Sequence, residues 1–135
     1  MIDYIIKKSD YKIYIAENNN YISLNITIQK YLNKLLLERL NSVSSLEKVT
    51  KKLMGFKSKV PLFISKDLLL LCISSYRMEN SFYINYFSIS KYEEINGLFV
   101  VYFHSGHCCY DISSFIFHSQ IKKARKLIAT LNRWF

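Results

Sequence analysis

Proline and glycine are scarce in this sequence, with one proline and three glycines among 135 residues. Long linkers between domains are usually rich in such residues, so a chain divided by a long linker is not expected. Half of the residues are hydrophobic, which is enough for one substantial core. We therefore expect residues 1–135 to form a single domain.

Long hydrophobic runs are also missing. The longest uncharged apolar stretch, residues 68–73, is far shorter than the roughly 20 residues that cross a bilayer. Residues 1–8 include Asp3 and only a short apolar stretch, whereas a secretory signal has a basic start and an apolar middle. Both absences predict a cytoplasmic protein.

Cysteine is limited to Cys72, Cys108 and Cys109. An odd number with two adjacent members is poor geometry for a set of disulfides. We therefore expect reduced thiols, which fits a reducing compartment.

The stretch HSGHCC, residues 104–109, raises the alternative of a metal site, because His104, His107, Cys108 and Cys109 are all of zinc-ligating types. Successive residues of a strand point to opposite faces, which would separate the two cysteines. The pair Ser105 and Gly106 is also typical of a hairpin turn. Buried or half-buried thiols without a metal are the preferred interpretation, and the metal alternative stays open.

Known catalytic patterns are absent. The sequence has no glycine-rich phosphate loop, no His-Glu-x-x-His pattern and no nucleophile elbow. Glu93 and Glu94 are adjacent and lie at a predicted turn. We expect a protein that is not an enzyme and needs no cofactor.

Acidic residues are few, ten against nineteen basic ones, and the net charge is +9. The excess is concentrated in residues 48–59, the first basic segment, and residues 112–135, the second basic segment, neither of which contains an acid. Outside these segments the basic and acidic residues nearly balance. A codon bias toward lysine would not sort charge in this way, so the pattern indicates an anionic partner.

Double-stranded DNA is the partner that we favour, because lysine and arginine neutralise phosphates and release condensed counterions. A solvated surface that only keeps the protein soluble is the alternative. Arg77 is a further candidate contact, although a salt bridge to Glu79 or Glu93 would explain it equally well. The candidate DNA-binding residues are Lys48, Lys51, Lys52, Lys57, Lys59, Arg77, Lys122, Lys123, Arg125, Lys126 and Arg133.

Periodicity predicts an α+β fold. We expect an antiparallel sheet of about seven short strands, with two helices inserted after the third strand and a C-terminal amphipathic helix. The predicted strand segments are 4–7, 11–16, 21–26, 60–64, 68–73, 82–89, 98–103 and 107–112, with helices from about Thr27, Ser44 and Ser114.

The second inserted helix carries the lysines of the first basic segment. Ser44 followed by Glu47 has the form of a capping box, and Gly55 is a helix terminator. We expect the helix to bury its apolar residues, Leu46, Val49 and Leu53, and to point Lys48, Lys51 and Lys52 away from the core.

The C-terminal helix places its five basic residues opposite an apolar stripe. The stripe consists of Ile121, Ala124, Leu127, Ile128, Leu131, Trp134 and Phe135. A basic amphipathic helix that ends in aromatic residues is also the pattern of a membrane-surface anchor, which is the main alternative function. A protein-binding adaptor is a further alternative.

Residues 59–89, KVPLFISKDLLLLCISSYRMENSFYINYFSI, resemble the central segment of the competence transcription factor (ComK) family. The resemblance consists of a Val-Pro-Leu strand, an aliphatic strand, a Ser-Tyr-Arg element and a Tyr-Ile-Asn strand. VVYFHSGH and ISSF continue it through Phe103, Ser105, Gly106, Ser114 and Phe115.

The resemblance implies a transcription activator that binds A/T-rich boxes upstream of DNA-uptake genes, largely through the minor groove, and assembles as dimers. Regulation by adaptors and proteolysis is tied in the family to a longer C-terminal tail, which we expect this short member to lack. Leu71 with Cys72, Tyr83 and Ser88 depart from the family pattern.

Overall fold

A computed structural model describes residues 1–75 and 80–134. The strands in these residues are β1 (Ile2–Ser9), β2 (Lys12–Glu17), β3 (Asn20–Leu24), β4 (Leu62–Ser65), β5 (Leu68–Ser74), β6 (Ser81–Asn85), β7 (Ile89–Ile95), β8 (Leu98–Phe103) and β9 (Cys108–Tyr110). The helices are α1 (Ile28–Leu37), α2 (Val43–Met54) and α3 (Ser114–Trp134).

The predicted α+β class is confirmed, together with the two helices after the third strand and the C-terminal helix. The predicted single sheet of about seven strands is replaced, in the described residues, by nine strands in two antiparallel sheets. One has six strands in the order β3-β2-β1-β6-β5-β4, and the other has three in the order β7-β8-β9. β4 is therefore an edge strand of the larger sheet.

The predicted strand 82–89 is interrupted, which accounts for part of this difference. The side chain of Asn85 accepts hydrogen bonds from the amides of Phe87 and Leu69, and a turn of 3-10 helix, Tyr86–Ser88, follows. The chain leaves the six-stranded sheet at this turn, and β7 begins the second sheet at Ile89.

The six-stranded sheet has helices on both faces. Along β5, Leu68, Leu70 and Cys72 pack with the residues of α1 and α2. The alternate residues, such as Leu69 and Leu71, pack with α3 and the three-stranded sheet. This alternation follows from the two-residue period of a strand, and it divides the core into two layers.

The second inserted helix begins two residues earlier than the capping-box prediction. Ser42, not Ser44, is its N-cap, and the Ser42 hydroxyl accepts a hydrogen bond from the amide of Ser45 at 3.2 Å. The left-handed conformation of Gly55, with φ of 70°, ends the helix as predicted.

The predicted apolar side of α2 is confirmed at Leu46 but is wrong at Val49 and Leu53. Val49 is 62% exposed and Leu53 is 38% exposed. The side that faces the core instead carries Val43, Leu46, Thr50 and Met54, spaced three and four residues apart.

Candidate nucleic-acid interface

The two basic segments belong to different layers of the fold. α2 packs with α1 on one face of the six-stranded sheet, and α3 packs on the other face. Met54, the last residue of α2, nevertheless contacts the core on the α3 side. The connection from α2 to edge strand β4 therefore joins the two layers at this edge of the sheet.

Residues 56–59, which we call the docked loop, lie in this connection and contact α3. The main-chain oxygen of Lys59 accepts hydrogen bonds from Lys123 Nζ at 2.8 Å and from Gln120 Nε2 at 3.1 Å. Lys123 Nζ also donates to Ser58 Oγ at 2.8 Å and lies 5.4 Å from the centroid of the Phe56 ring. These contacts bring the end of the first basic segment against the middle of the second.

The lysines on α2 precede the docked loop in the chain. Lys48 and Lys52 are exposed and Lys51 is half-buried. Within residues 1–75 and 80–134, no side-chain hydrogen bond or ion pair joins these three lysines to the second basic segment. The structure therefore connects the two segments through the docked loop.

The five basic residues of α3 point in three directions, because each residue of an α-helix advances about 100°. Ala124 and Leu127 are buried against the sheet. Lys122, Lys126 and Arg133 lie on the opposite, outward side, and all three are exposed. Lys123 and Arg125 lie on opposite flanks.

Arg125 lies on the flank of α3 opposite Lys123 and is exposed. Proximity to the Tyr86 hydroxyl, with a smaller contribution from Tyr92, raises the pKa of Arg125. Of the two flanking cations of α3, Lys123 is thus engaged with the docked loop, while the outward residues are directed to solvent.

Carboxylates do not neutralise the basic segments in the part of the chain that the structure describes. The ion pairs there join Lys7 with Asp10 and His107 with Asp3. Neither pair includes a residue of the two segments, so the positive charge of Lys122, Lys126 and Arg133 is available to an anionic partner.

Arg77 lies outside the described residues, as does Glu79, which was one of its predicted alternative partners.

The HSGHCC stretch forms the predicted hairpin turn. The amide of Phe103 donates to the main-chain oxygen of His107 at 2.9 Å, and Gly106 has a φ of 100°. Cys108 is exposed and Cys109 is buried, as alternation along β9 requires. Among the described residues, no group of three or more histidine, cysteine, aspartate or glutamate side chains is arranged to hold a metal ion.

His107 has a structural contact instead. Its Nδ1 donates to Asp3 Oδ2 at 2.8 Å, and the hydroxyl of Ser105 donates to the same carboxylate oxygen. This buried cluster connects β1 of the larger sheet with the turn before β9 of the smaller one. The His107 Nε2 atom is buried without a hydrogen-bond partner in the described part of the chain.

Gln120 and Ser58, which help to join the two basic segments, are not among the candidate residues that the sequence indicates. Gln120 carries no charge and lies between residues of the apolar stripe of α3, and its side chain is buried within that stripe with 3% exposure. A polar residue at a buried position of an amphipathic helix is a signal that could have drawn attention to it. Ser58 carries no comparable signal.

Comparison with known families gives one match over nearly the whole chain. The family model described as "ComK protein" matches residues 2–134. Searches of curated proteins and of solved structures found no significant match.

Proposed function

The chain belongs to the ComK family of competence transcription factors, and from this premise we propose that it regulates transcription by binding A/T-rich double-stranded DNA. The family consists of transcription factors, not enzymes. The fold itself does not determine this function, because one fold can serve many functions.

The outward side of α3 is the observation that carries the proposal. Lys122, Lys126 and Arg133 form an exposed basic row about 16 Å long, given a rise of about 1.5 Å per residue. Such a row can contact several phosphates along a duplex, because phosphates along one strand are separated by a few ångströms. Phosphate contacts position a protein on DNA and supply affinity without reading the sequence.

Preference for A/T-rich DNA requires a second kind of contact. A-tracts narrow the minor groove and deepen its negative potential, which attracts inserted arginine or lysine side chains. Arg133 is exposed near the end of α3 and is our candidate for this role. Arg125 lies on a flank of α3 near Tyr86, and we expect it to contribute less.

The family also supports the remaining parts of the proposal. We propose that residues 1–135 act as one DNA-binding domain, that two or more copies assemble on the boxes, and that the protein works at the nucleoid. Activation of transcription and the minor-groove mode are part of the same proposal.

The membrane-anchor alternative is not supported. Its central requirement is an apolar helix face that can enter a lipid layer. Ile121, Ala124 and Leu127 of α3 are instead buried in the core. In the described residues, no helix combines the length and apolar character needed to span a membrane.

Fluorescence anisotropy tests the proposal directly. The protein is titrated against an A/T-rich duplex, a G/C-rich duplex and anionic vesicles, each at 50 and 200 mM salt. We expect tighter binding to the A/T-rich duplex and a loss of affinity of roughly a thousandfold between the two salt concentrations if about six phosphates are contacted. Binding to vesicles but not to either duplex would overturn the proposal.

A charge-removal variant locates the surface. Log affinity falls linearly with log salt, and we call the steepness of this fall the salt slope. Lys122→Gln with Lys126→Gln should reduce the salt slope by about 1.8, because each lost phosphate contact removes about 0.9. Lys30→Gln with Lys34→Gln is the matched control, since these exposed lysines have the same spacing on α1 but lie outside both basic segments. Equal effects of the two double variants would show that total charge, not this surface, governs binding.

A further inference from the structure

We propose that Gln120 and Lys123 are positioning residues that dock residues 56–59 on α3, so that Lys57 and Lys59 join the outward residues of α3 in one DNA-binding surface. This inference rests on the proposed function. It assigns different roles to basic residues that the sequence analysis names together as candidate DNA contacts. Lys123 acts within the protein, whereas Lys57, Lys59, Lys122 and Lys126 act on phosphates.

Gln120 is a buried polar residue whose side-chain oxygen and nitrogen are both hydrogen-bonded. Its Oε1 accepts a hydrogen bond from the amide of Cys72 at 3.1 Å, and its Nε2 donates to the main-chain oxygen of Lys59 at 3.1 Å. A buried amide is costly unless it is hydrogen-bonded, so an apolar residue would suffice if packing were the only requirement. The contacts that Gln120 makes point to a role in holding the chain.

The main-chain amide of Cys72 needs a hydrogen-bond acceptor, which the side chain of Gln120 provides. β4 pairs with Leu68, Leu69 and Leu70 of β5, and its pairing ends there. Cys72 therefore lies beyond the end of the edge strand, where its amide has no strand partner on the β4 side. Gln120 satisfies this amide and at the same time attaches the docked loop to the helix.

Lys123 completes the attachment from the next turn of α3. Its ammonium group donates to Ser58 Oγ and to the main-chain oxygen of Lys59, and it lies near the Phe56 ring. An ammonium group has three N–H donors, and two of them are used in these contacts. The charge is thus directed toward the loop, in contrast to the outward charges of Lys122 and Lys126.

Docking prepares the loop for binding. Lys57 and Lys59 are exposed while the main chain of Lys59 is fixed. A loop that is already ordered does not lose its backbone freedom when it meets DNA, so more of the interaction appears as affinity. Loss of the attachment should therefore weaken binding without any change in net charge.

Gln120→Met tests this separation, because it removes the amide but keeps the charge and approximate length of the side chain. We expect faster amide hydrogen exchange at Cys72 in the free protein and a salt slope for duplex binding that falls by as much as about 1.8, as if Lys57 and Lys59 were lost. Leu127→Met is the matched control, a volume-conserving change on the same buried stripe, and it should leave the salt slope unchanged.

Coupling to the loop lysines distinguishes positioning from general destabilisation. In a protein that already carries Lys57→Gln and Lys59→Gln, Gln120→Met should cause no further loss of duplex affinity. Lys123→Met should show the same coupling, whereas Lys122→Met should lower affinity equally in both backgrounds. Far-UV circular dichroism confirms that each variant is folded.

The outcomes for the two proposals differ. Failure of the wild-type protein to bind either duplex would overturn the proposed function. Two results would overturn the positioning role alone, provided that the wild-type protein binds tightly. One is an unchanged salt slope in folded Gln120→Met. The other is a loss of duplex affinity on Gln120→Met that is equally large in the protein that carries Lys57→Gln and Lys59→Gln.

Discussion

α2 and α3 are both amphipathic helices with lysines on their outer sides, but they bury their apolar sides to different degrees. α3 buries Phe117, Ile121, Ala124 and Leu127 in one continuous stripe. α2 buries Val43 and Thr50 while its Val49 is largely exposed. The two helices therefore share the pattern of a basic side opposite an apolar stripe, but they are attached to the core to different degrees.

The difference has consequences for both stability and binding. A helix whose apolar stripe is buried along its length presents its outward side at a fixed angle, as a rigid contact surface requires. α2 faces the core with a stripe that includes the polar Thr50, and its last residue, Met54, lies at the connection at the sheet edge. We therefore expect α3 to dominate folding and phosphate contact, with α2 contributing through the docked loop.

The largest expected effect is on stability. Phe117→Ala should lower the free energy of unfolding by about 3–5 kcal/mol, because a fully buried aromatic side chain is lost and a cavity remains. Val49→Ala on α2 should change it by less than about 0.5 kcal/mol, because this side chain is already exposed. Urea unfolding measures both values, and similar losses in the two variants would contradict the comparison.

The next effect is on DNA binding and divides the first basic segment. Lys57→Gln, in the docked loop, should reduce the salt slope by about 0.9, the value of one phosphate contact. Lys48→Gln, in the middle of α2, should reduce it by less, because no described side-chain contact joins this part of α2 to α3. Anisotropy titrations at four salt concentrations would resolve the two slopes. A larger change for Lys48→Gln would assign the main contact to α2.

Elements with strong periodicity were predictable from the sequence. The apolar stripe of α3 and the continuous apolar run of β5 follow from local patterns that burial imposes. Opposite exposure of Cys108 and Cys109 follows from the period of a strand. These predictions needed no knowledge of which elements pack together.

Features that depend on distant contacts were not predictable. β7 lies in a sheet but is largely exposed, so its residues show no alternation. The break before it depends on Asn85, whose side chain accepts a hydrogen bond from the amide of Leu69 and donates to the main-chain oxygens of Ile2 and Asp67. The attachment of the docked loop joins Lys59 to residues more than 60 positions later in the chain. Charge counting located both basic segments, but it could not show that Lys123 contacts the docked loop.

The N-cap of α2 provides the smallest test. Ser42→Ala should lower the free energy of unfolding by about 1 kcal/mol, because the hydroxyl satisfies the amide of Ser45, which no helical carbonyl reaches. Ser44→Ala should change it by less than about 0.5 kcal/mol, because Ser44 lies within the first turn and is exposed. Chemical unfolding with far-UV detection compares the two. A greater loss for Ser44→Ala would restore the capping box of Ser44 and Glu47 as the start of the helix.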